Sequence, residues 1–166
     1  MPKAETGSPI AKNRTVVERK SDRELVVTRT FDAPAHIVFE AWSNPELFKR
    51  WWVPKSAGLS LLSCEMDVRT GGTYRLVFSH PDFEQPMAFF GTYREVTSHK
   101  RLVWTNEENG QGAVTTVTFE EIGGKTLVTL HEIYPTEAAL DDALAGSAEA
   151  LPEQFVQLDE LLTGSQ

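Results

Sequence analysis

The sequence predicts an α+β fold in which one strand and two short helices precede a meander of six strands and a C-terminal helix. Three observations predict it. Seven segments are rich in β-branched and aromatic residues or alternate between apolar and polar residues, as strands do. Two proline-led starts between the first two strands indicate helices. Hairpin-length links between the last six strands favour an antiparallel sheet.

The first predicted strand, residues 24–31, is rich in β-branched residues. Glycine pairs at Gly71-Gly72 and Gly123-Gly124 supply two of the hairpin turns that follow. Gly91 interrupts a long strand, which indicates a bulge or a close approach of another part of the backbone. The six later strands are predicted at residues 59–68, 73–79, 87–97, 101–105, 113–120 and 125–133.

Two short helices are predicted at Pro34 to Trp42 and at Pro45 to Trp51. Asn44 can cap the second one, because asparagine is a preferred residue before the first helical turn. Near the C-terminus Leu151, Phe155, Leu158 and Leu162 recur at helical spacing. This helical stretch begins after Pro135, and we expect a break in it between Gly146 and Pro152.

A chain of 166 residues is expected to form one domain. We place it at residues 23–164 and expect a polar tail at 1–22, loosely docked or disordered, in which Val16-Val17 could add a short edge strand. The net charge of −8 argues against nucleic acid as a partner. No apolar run can span a bilayer, and no signal peptide is recognised, so we expect a cytoplasmic protein.

One cysteine excludes an internal disulfide and a multi-cysteine zinc site, and the four histidines have no metal-like spacing. No metal or cofactor is therefore expected. Two acidic candidates have ordinary structural explanations. Asp67 and Arg69 flank a glycine turn as an ion pair would, and Asp141-Asp142 fits an exposed helix face.

Several short motifs carry a resemblance to a known family. They are Thr28-Arg29-Thr30-Phe31-Asp32-Ala33-Pro34, Pro45-Glu46-Leu47, Trp51-Trp52 and Asp67-Val68-Arg69-Thr70-Gly71-Gly72. Over about residues 24–163 the chain resembles the homologues of the activator of heat-shock protein 90 ATPase, a branch of the START-like, helix-grip superfamily. The resemblance implies a curved antiparallel sheet wrapping a long C-terminal helix. It also implies a cavity between them, closed at one end by the two short helices.

The chain departs from this family near the start of the last helix. Many relatives carry a Gly-Trp pair there, whereas this sequence reads Ala150-Leu151-Pro152. The departure removes a large aromatic side chain from a helix that faces the cavity in relatives.

The expected cavity residues follow from this resemblance together with the distribution of aromatic residues. The lid is expected from Trp42, Trp51 and Trp52, the wall from Tyr74, Phe78, Phe90 and Trp104, and the helix side from Leu151, Phe155 and Leu158. Polar contacts could come from Tyr74, Tyr93, Trp104, Thr116 and Thr118. Because Trp51 and Trp52 point about 100° apart on a helix, one should be buried and the other should lie near the mouth.

Three functions remain open from the sequence. The first is binding of a small hydrophobic or aromatic molecule without covalent chemistry. The second is a cyclase- or hydrolase-like enzyme in the same cavity, with His131 or Glu65 as the base. The ordinary alternatives are a satisfied core or rim histidine at His131 and, on the strand of Glu65, a structural ion pair between Asp67 and Arg69. The third is a protein-interaction module, related to chaperone regulation or forming a homodimer.

Overall fold

A computed structural model describes residues 14–108 and 112–164, apart from the side chains at 147 and 148. These residues form one antiparallel sheet of eight strands in the order β1-β2-β8-β7-β6-β5-β4-β3. The strands are β1 Val16–Arg19, β2 Glu24–Phe31, β3 Ser60–Met66, β4 Thr73–Ser79, β5 Met87–Thr97, β6 Arg101–Thr105, β7 Val114–Ile122 and β8 Lys125–Ile133. The predicted α+β helix-grip architecture is confirmed.

The strand count differs from the prediction by one. The additional strand is β1, which pairs antiparallel with β2 from Val16 opposite Thr28 to Arg19 opposite Leu25. It lies in the predicted tail, where only Val16-Val17 suggested an edge strand. Its side chains are all exposed, so it lacks the inward apolar positions by which strands are found. Residues 1–13 of the predicted tail lie outside the described residues.

Two short helices, α1 Ala35–Ser43 and α2 Pro45–Trp51, connect β2 to β3. The Asn44 side chain accepts a hydrogen bond from the Glu46 N–H, as predicted for the cap of α2. At the N-terminus of α1 the preceding residue, Pro34, provides no side-chain hydrogen bond that caps the helix. Instead the Ala35 N–H donates to the Glu121 carboxylate on β7 at 2.8 Å, which fixes the helix against the sheet.

The C-terminal helical stretch is broken where the sequence predicted. Helix α3 spans Glu137–Leu144, a 3-10 turn spans Ser147–Ala150, and helix α4 spans Leu151–Leu162. Pro152 lies in the first turn of α4, where a missing N–H costs no hydrogen bond. No helix in the described part of the chain is long and apolar enough to cross a membrane.

Helices α1, α2 and α4 meet the sheet in a dense aromatic cluster, which we call the packed end. The Trp42 ring lies 4.7 Å from Trp51 and 6.0 Å from both Phe119 and Phe155, centroid to centroid. The Trp51 indole N–H donates to the Ala41 carbonyl at 2.9 Å. The Trp51 side chain is therefore completely buried, and its one polar group, the indole N–H, is hydrogen-bonded.

A buried ion pair adds to the packed end. The Arg29 guanidinium on β2 donates to the Asp159 carboxylate on α4 at 2.7 Å, with 9% and 17% of the two side chains exposed. Because water is largely excluded there, each charge depends on the other for compensation. The pair fixes α4 across β2.

Candidate ligand-binding cavity

A cavity of about 930 Å³ lies between the β3–β6 half of the sheet and the helices. Its sheet wall comes from inward side chains on the strands, and its opposite wall comes from small residues on α3 and from the start of α4. The principal lining side chains are Trp42, Phe48, Trp52, Met66, Tyr74, Leu76, Phe78, Phe89, Tyr93, Trp104, Glu132, Ala139, Ala143, Leu151 and Gln154. The wall is therefore mostly aromatic, with one inward carboxylate on a strand.

Strand alternation brings the aromatic wall together. Tyr74 and Phe78 share the inner face of β4, since side chains two and four residues apart point the same way. Gly91 lies beneath the Tyr74 ring. A Cβ atom at Gly91 would lie 1.9 Å from the Thr105 carbonyl oxygen and 3.0 Å from the Tyr74 ring. Gly91 therefore allows the close approach of another part of the backbone that the sequence predicted. The register shift of β5 lies further on, between Tyr93 and Glu95.

Six of the ten predicted cavity residues line the cavity. They are Trp42, Trp52, Tyr74, Phe78, Trp104 and Leu151. Trp51 is completely buried in the packed end, whereas Trp52 is half-buried at the cavity. This is the division that their 100° separation on a helix predicts.

The other cavity assignments fall elsewhere in the molecule. Phe155 and Leu158 lie fully buried in the core rather than at the cavity, because α4 faces β2 and the short helices along most of its length. Phe90 lies opposite Arg75 on the outer face and is 38% exposed. Its neighbour Phe89 lines the cavity instead, because adjacent residues of a strand point to opposite faces.

Both candidate bases lie on the outer face of the sheet. The His131 Nε2 atom lies 2.9 Å from a Glu24 carboxylate oxygen, and about a third of the His131 side chain is exposed. This hydrogen bond lowers the pKa of the Glu24 carboxyl. Glu65 is exposed opposite Arg75. Neither side chain can reach a molecule held in the cavity.

Glu132, the neighbour of His131, is the carboxylate that faces the cavity. One of its oxygens accepts a hydrogen bond from the Tyr134 hydroxyl at 2.5 Å, and the other accepts one from the Thr115 hydroxyl at 2.9 Å. Burial raises the pKa of the Glu132 carboxyl, although both hydrogen bonds oppose the shift. Burial likewise raises the pKa of the Tyr134 hydroxyl, so this tyrosine remains a neutral donor.

The direction of each hydrogen bond around Glu132 can be assigned. The Asn106 Nδ2 group donates to the Ala113 carbonyl at 2.9 Å, and a carbonyl can only accept, which orients the amide. The same nitrogen donates to the Thr115 hydroxyl oxygen at 3.1 Å. The single Thr115 hydroxyl proton is then left for Glu132. Glu132 therefore receives two neutral donors, one on each oxygen.

The polar contacts predicted for the cavity are partly misplaced. Tyr74, Tyr93 and Trp104 line it, but Thr116 and Thr118 alternate to the outer face, and Thr115 is the inward threonine. One signal in the sequence pointed to Glu132. It shares a strand face with Val128 and Leu130, which are at most 1% exposed. His131 lies on the opposite face.

Comparison with known proteins finds a family model that matches most of this chain. Residues 32–163 match the family model described as activator of Hsp90 ATPase homolog 1-like protein. No curated protein matches the chain significantly.

Solved structures of similar architecture come from several bacteria. A Rhodobacter sphaeroides protein aligns with a TM-score of 0.81 at 21% identity, over 92% of this chain and 100% of its own. A Nitrosomonas europaea protein aligns with a TM-score of 0.76 at 25% identity, over 89% and 98%. An AHSA1-like protein of Aeromonas hydrophila aligns with a TM-score of 0.65 at 18% identity, over 81% and 92%. These likenesses support the fold.

Proposed function

The chain belongs to the family of activator of Hsp90 ATPase homolog 1-like proteins, and we propose that it binds a small, largely apolar or aromatic molecule in its cavity. A fold of this kind serves ligand binding or chaperone regulation. The observation that carries the first of these is the aromatic-walled cavity of about 930 Å³. That volume lies in the upper part of the range for small-molecule sites, roughly 300–1,000 Å³.

The energetics of the cavity support this proposal. Keeping such a volume dry and empty would cost roughly 20 kcal/mol at the cost per volume seen in core cavities. A domain's total stability is only about 5–15 kcal/mol. The space is therefore filled by water or by a ligand, and the release of water from a wall of aromatic rings favours binding of an apolar molecule.

The rim of the cavity supports entry from outside. Phe83 and Met87 line it and are 37% and 41% exposed, unusually so for large apolar side chains. The small residues Ala139 and Ala143 form the α3 side. Ala150 and Leu151 also line it, at the place where many relatives carry a Gly-Trp pair. Small side chains on this side keep the space open.

The two candidate bases of the enzyme alternative do not face the cavity. His131 and Glu65 lie on the outer face of the sheet. Acid or base chemistry in the cavity would have to use other lining groups, among them Glu132, His80, Glu108 and Asp142. The non-covalent function remains the proposal.

Thermal unfolding in the presence of neutral probes tests this function. Pyrenemethanol, naphthalenemethanol and a long-chain alcohol are suitable, and a ligand at one hundred times its Kd should stabilise the protein by about 2.7 kcal/mol. Ala143→Phe should fill part of the cavity and weaken the stabilisation. Ala145→Phe is the matched control, because Ala145 is exposed just beyond the end of α3. Absence of stabilisation across neutral lipids and aromatics of several sizes would refute the proposal.

A further inference from the structure

We infer that the molecule held in this cavity is an organic cation, an aromatic or apolar body carrying a protonated amine, and that Glu132 pairs with the amine. The inference rests on the proposed binding function and specifies its ligand class. Four observations carry it: the lack of a positive partner for Glu132, its unused hydrogen-bonding capacity, the aromatic row beside it, and the acidic character of the lining.

Glu132 has no positive partner inside the cavity. The described lining residues include no lysine or arginine, and the two groups bonded to the carboxylate are neutral hydroxyls. Asp159, the inward carboxylate of the packed end, has a guanidinium at 2.7 Å. Because buried carboxylates are normally paired with a cation, Glu132 is the exception. A bound amine would supply the missing charge.

Glu132 also has room for further donors. A carboxylate has about four lone-pair sites, and two of these are used by Thr115 and Tyr134. Those two bonds hold the carboxylate in one orientation. An ammonium group, which carries three N–H donors, can therefore bond to the remaining sites of a carboxylate that is already positioned.

The strand register aligns aromatic rings with this carboxylate. Tyr93 lies opposite Trp104, Trp104 lies opposite Thr115, and Thr115 lies opposite Glu132. Tyr93, Trp104 and Glu132 all line the cavity. Since neighbouring strands are about 4.8 Å apart, Trp104 and Glu132 are separated by roughly 10 Å along this row. An aromatic body lying on the two rings would place an amine substituent at Glu132.

The remaining charged groups favour a cation over an anion. Glu108, Asp142 and one histidine, His80, also line the cavity. Together with Glu132 the carboxylates outnumber the basic side chains there, and the whole chain carries a net charge of −8. A cavity lined by one sign of charge concentrates the opposite sign within it. Aromatic faces add a further attraction for an ammonium group.

A matched set of probes tests this inference: pyrenemethylamine, pyrenemethanol and pyrenecarboxylic acid, together with their naphthalene counterparts. The three members of each set share a ring system and differ in the charge of one substituent. We expect the amine to bind about tenfold or more tightly than the alcohol, because both can donate a hydrogen bond to Glu132 but only the ammonium group also neutralises its charge. The carboxylate should bind most weakly. Fluorescence titration measures all three dissociation constants.

Two variants identify the group responsible. Glu132→Gln should abolish the preference for the amine while leaving the affinity for the alcohol nearly unchanged. Glu65→Gln makes the same change of charge on the outer face and should leave the preference intact. If the alcohol binds as tightly as the amine, or if the preference survives in Glu132→Gln, the inference is wrong and the proposed binding function stands. If no member of either set binds, both the inference and the proposed binding function are contradicted.

The wild-type protein offers a second measurement that needs no variant. Because protonated Glu132 cannot pair with an ammonium group, the amine preference should fall as the pH is lowered from about 8 to about 5. Affinity for the alcohol should change little. An amine preference that is constant over this range would contradict the assignment to Glu132.

Other titratable groups near Glu132 have to be separated from it. They are Tyr134 after β8, Tyr74 on β4, His80 directly after β4, Tyr93 on β5, Glu107 and Glu108 after β6, Asp142 on α3, and the outer-face pair His131 and Glu24. A pH dependence due to Glu132 must disappear in Glu132→Gln, and one due to another of these groups would remain.

Discussion

The packed end and the cavity are built from the same kinds of residue and differ in what faces them. At the packed end Trp42 has the rings of Trp51, Phe119 and Phe155 within 4.7–6.0 Å. At the cavity Tyr74, Tyr93 and Trp104 contact one another along the wall. Their inward sides face open space and small residues of α3. Aromatic content alone therefore does not decide whether a region of the core is filled.

The two regions also treat an inward carboxylate differently. Asp159 is held by Arg29 in the packed end, whereas Glu132 is held by two hydroxyls in the cavity. In the first arrangement the negative charge is neutralised within the protein. The second leaves a negative charge that a bound molecule can neutralise. Under the proposed function, stability and binding thus depend on different ends of one sheet.

Truncating one ring in each region gives the largest expected contrast. Trp51→Ala should cost about 3–5 kcal/mol of unfolding free energy, because it leaves a void in a filled core. Phe89→Ala should cost only about 1–2 kcal/mol, since Phe89 is half-buried and its loss widens a space that already exists. Urea unfolding of both variants measures the difference. Equal losses would show that the cavity wall is packed as tightly as the packed end.

Breaking the ion pair of the packed end should have the next largest effect. Asp159→Asn leaves the Arg29 charge without compensation in a largely buried place, and a loss of about 3 kcal/mol is expected. Asp141→Asn is a suitable control, because Asp141 is exposed and its ion pair with Arg19 lies on the surface. Unfolding free energies of the two variants should differ clearly. A loss no greater than that of the control would mean that solvent compensates Arg29.

The smallest effect is expected for Glu132→Gln, and it should depend on pH. The raised pKa of Glu132 means that its protonated form contributes stability below the ordinary value of 4.5, which is lost as pH rises through the folded-state value. Stability of the variant relative to wild type should therefore increase with pH, by at most about 1.4 kcal/mol per pH unit. Urea unfolding between about pH 4 and pH 8 measures this slope. A difference that stays constant over the range would show that Glu132 titrates normally.

Much of the fold could be predicted because its signals are local. Asn44 and Pro45 are preferred residues for the cap and the first position of a helix, and the break between Gly146 and Pro152 lies where these residues interrupt a helical pattern. The exception is β1, whose four side chains are all exposed. Because β1 buries no side chain, its sequence has no alternation of apolar and polar residues from which a strand could be predicted.

The cavity was harder to predict because it depends on which face of each strand is concave. Adjacent residues of a strand point to opposite faces. Assigning the wrong face to the cavity therefore exchanges His131 for Glu132, or Phe90 for Phe89. The face shared by Val128 and Leu130 pointed to Glu132. The apolar residues on both faces of β5 offered no such guide, since Phe89 and Phe90 are equally apolar.

Residue types and spacings predicted the order of elements apart from β1, the cap of α2, the helix break and the aromatic content, and the helix-grip arrangement was implied by the family resemblance. Which rings collapse together and which surround a cavity depends on contacts between distant segments. Trp51 is enclosed because α4 crosses the short helices, where Gln157 Nε2 donates to the Trp51 carbonyl at 2.8 Å. Tyr93 and Trp104 line a cavity whose helix side includes the small residues Ala139 and Ala143. Whether a ring is enclosed or lines a cavity is set by packing between distant segments, which a local sequence pattern does not show.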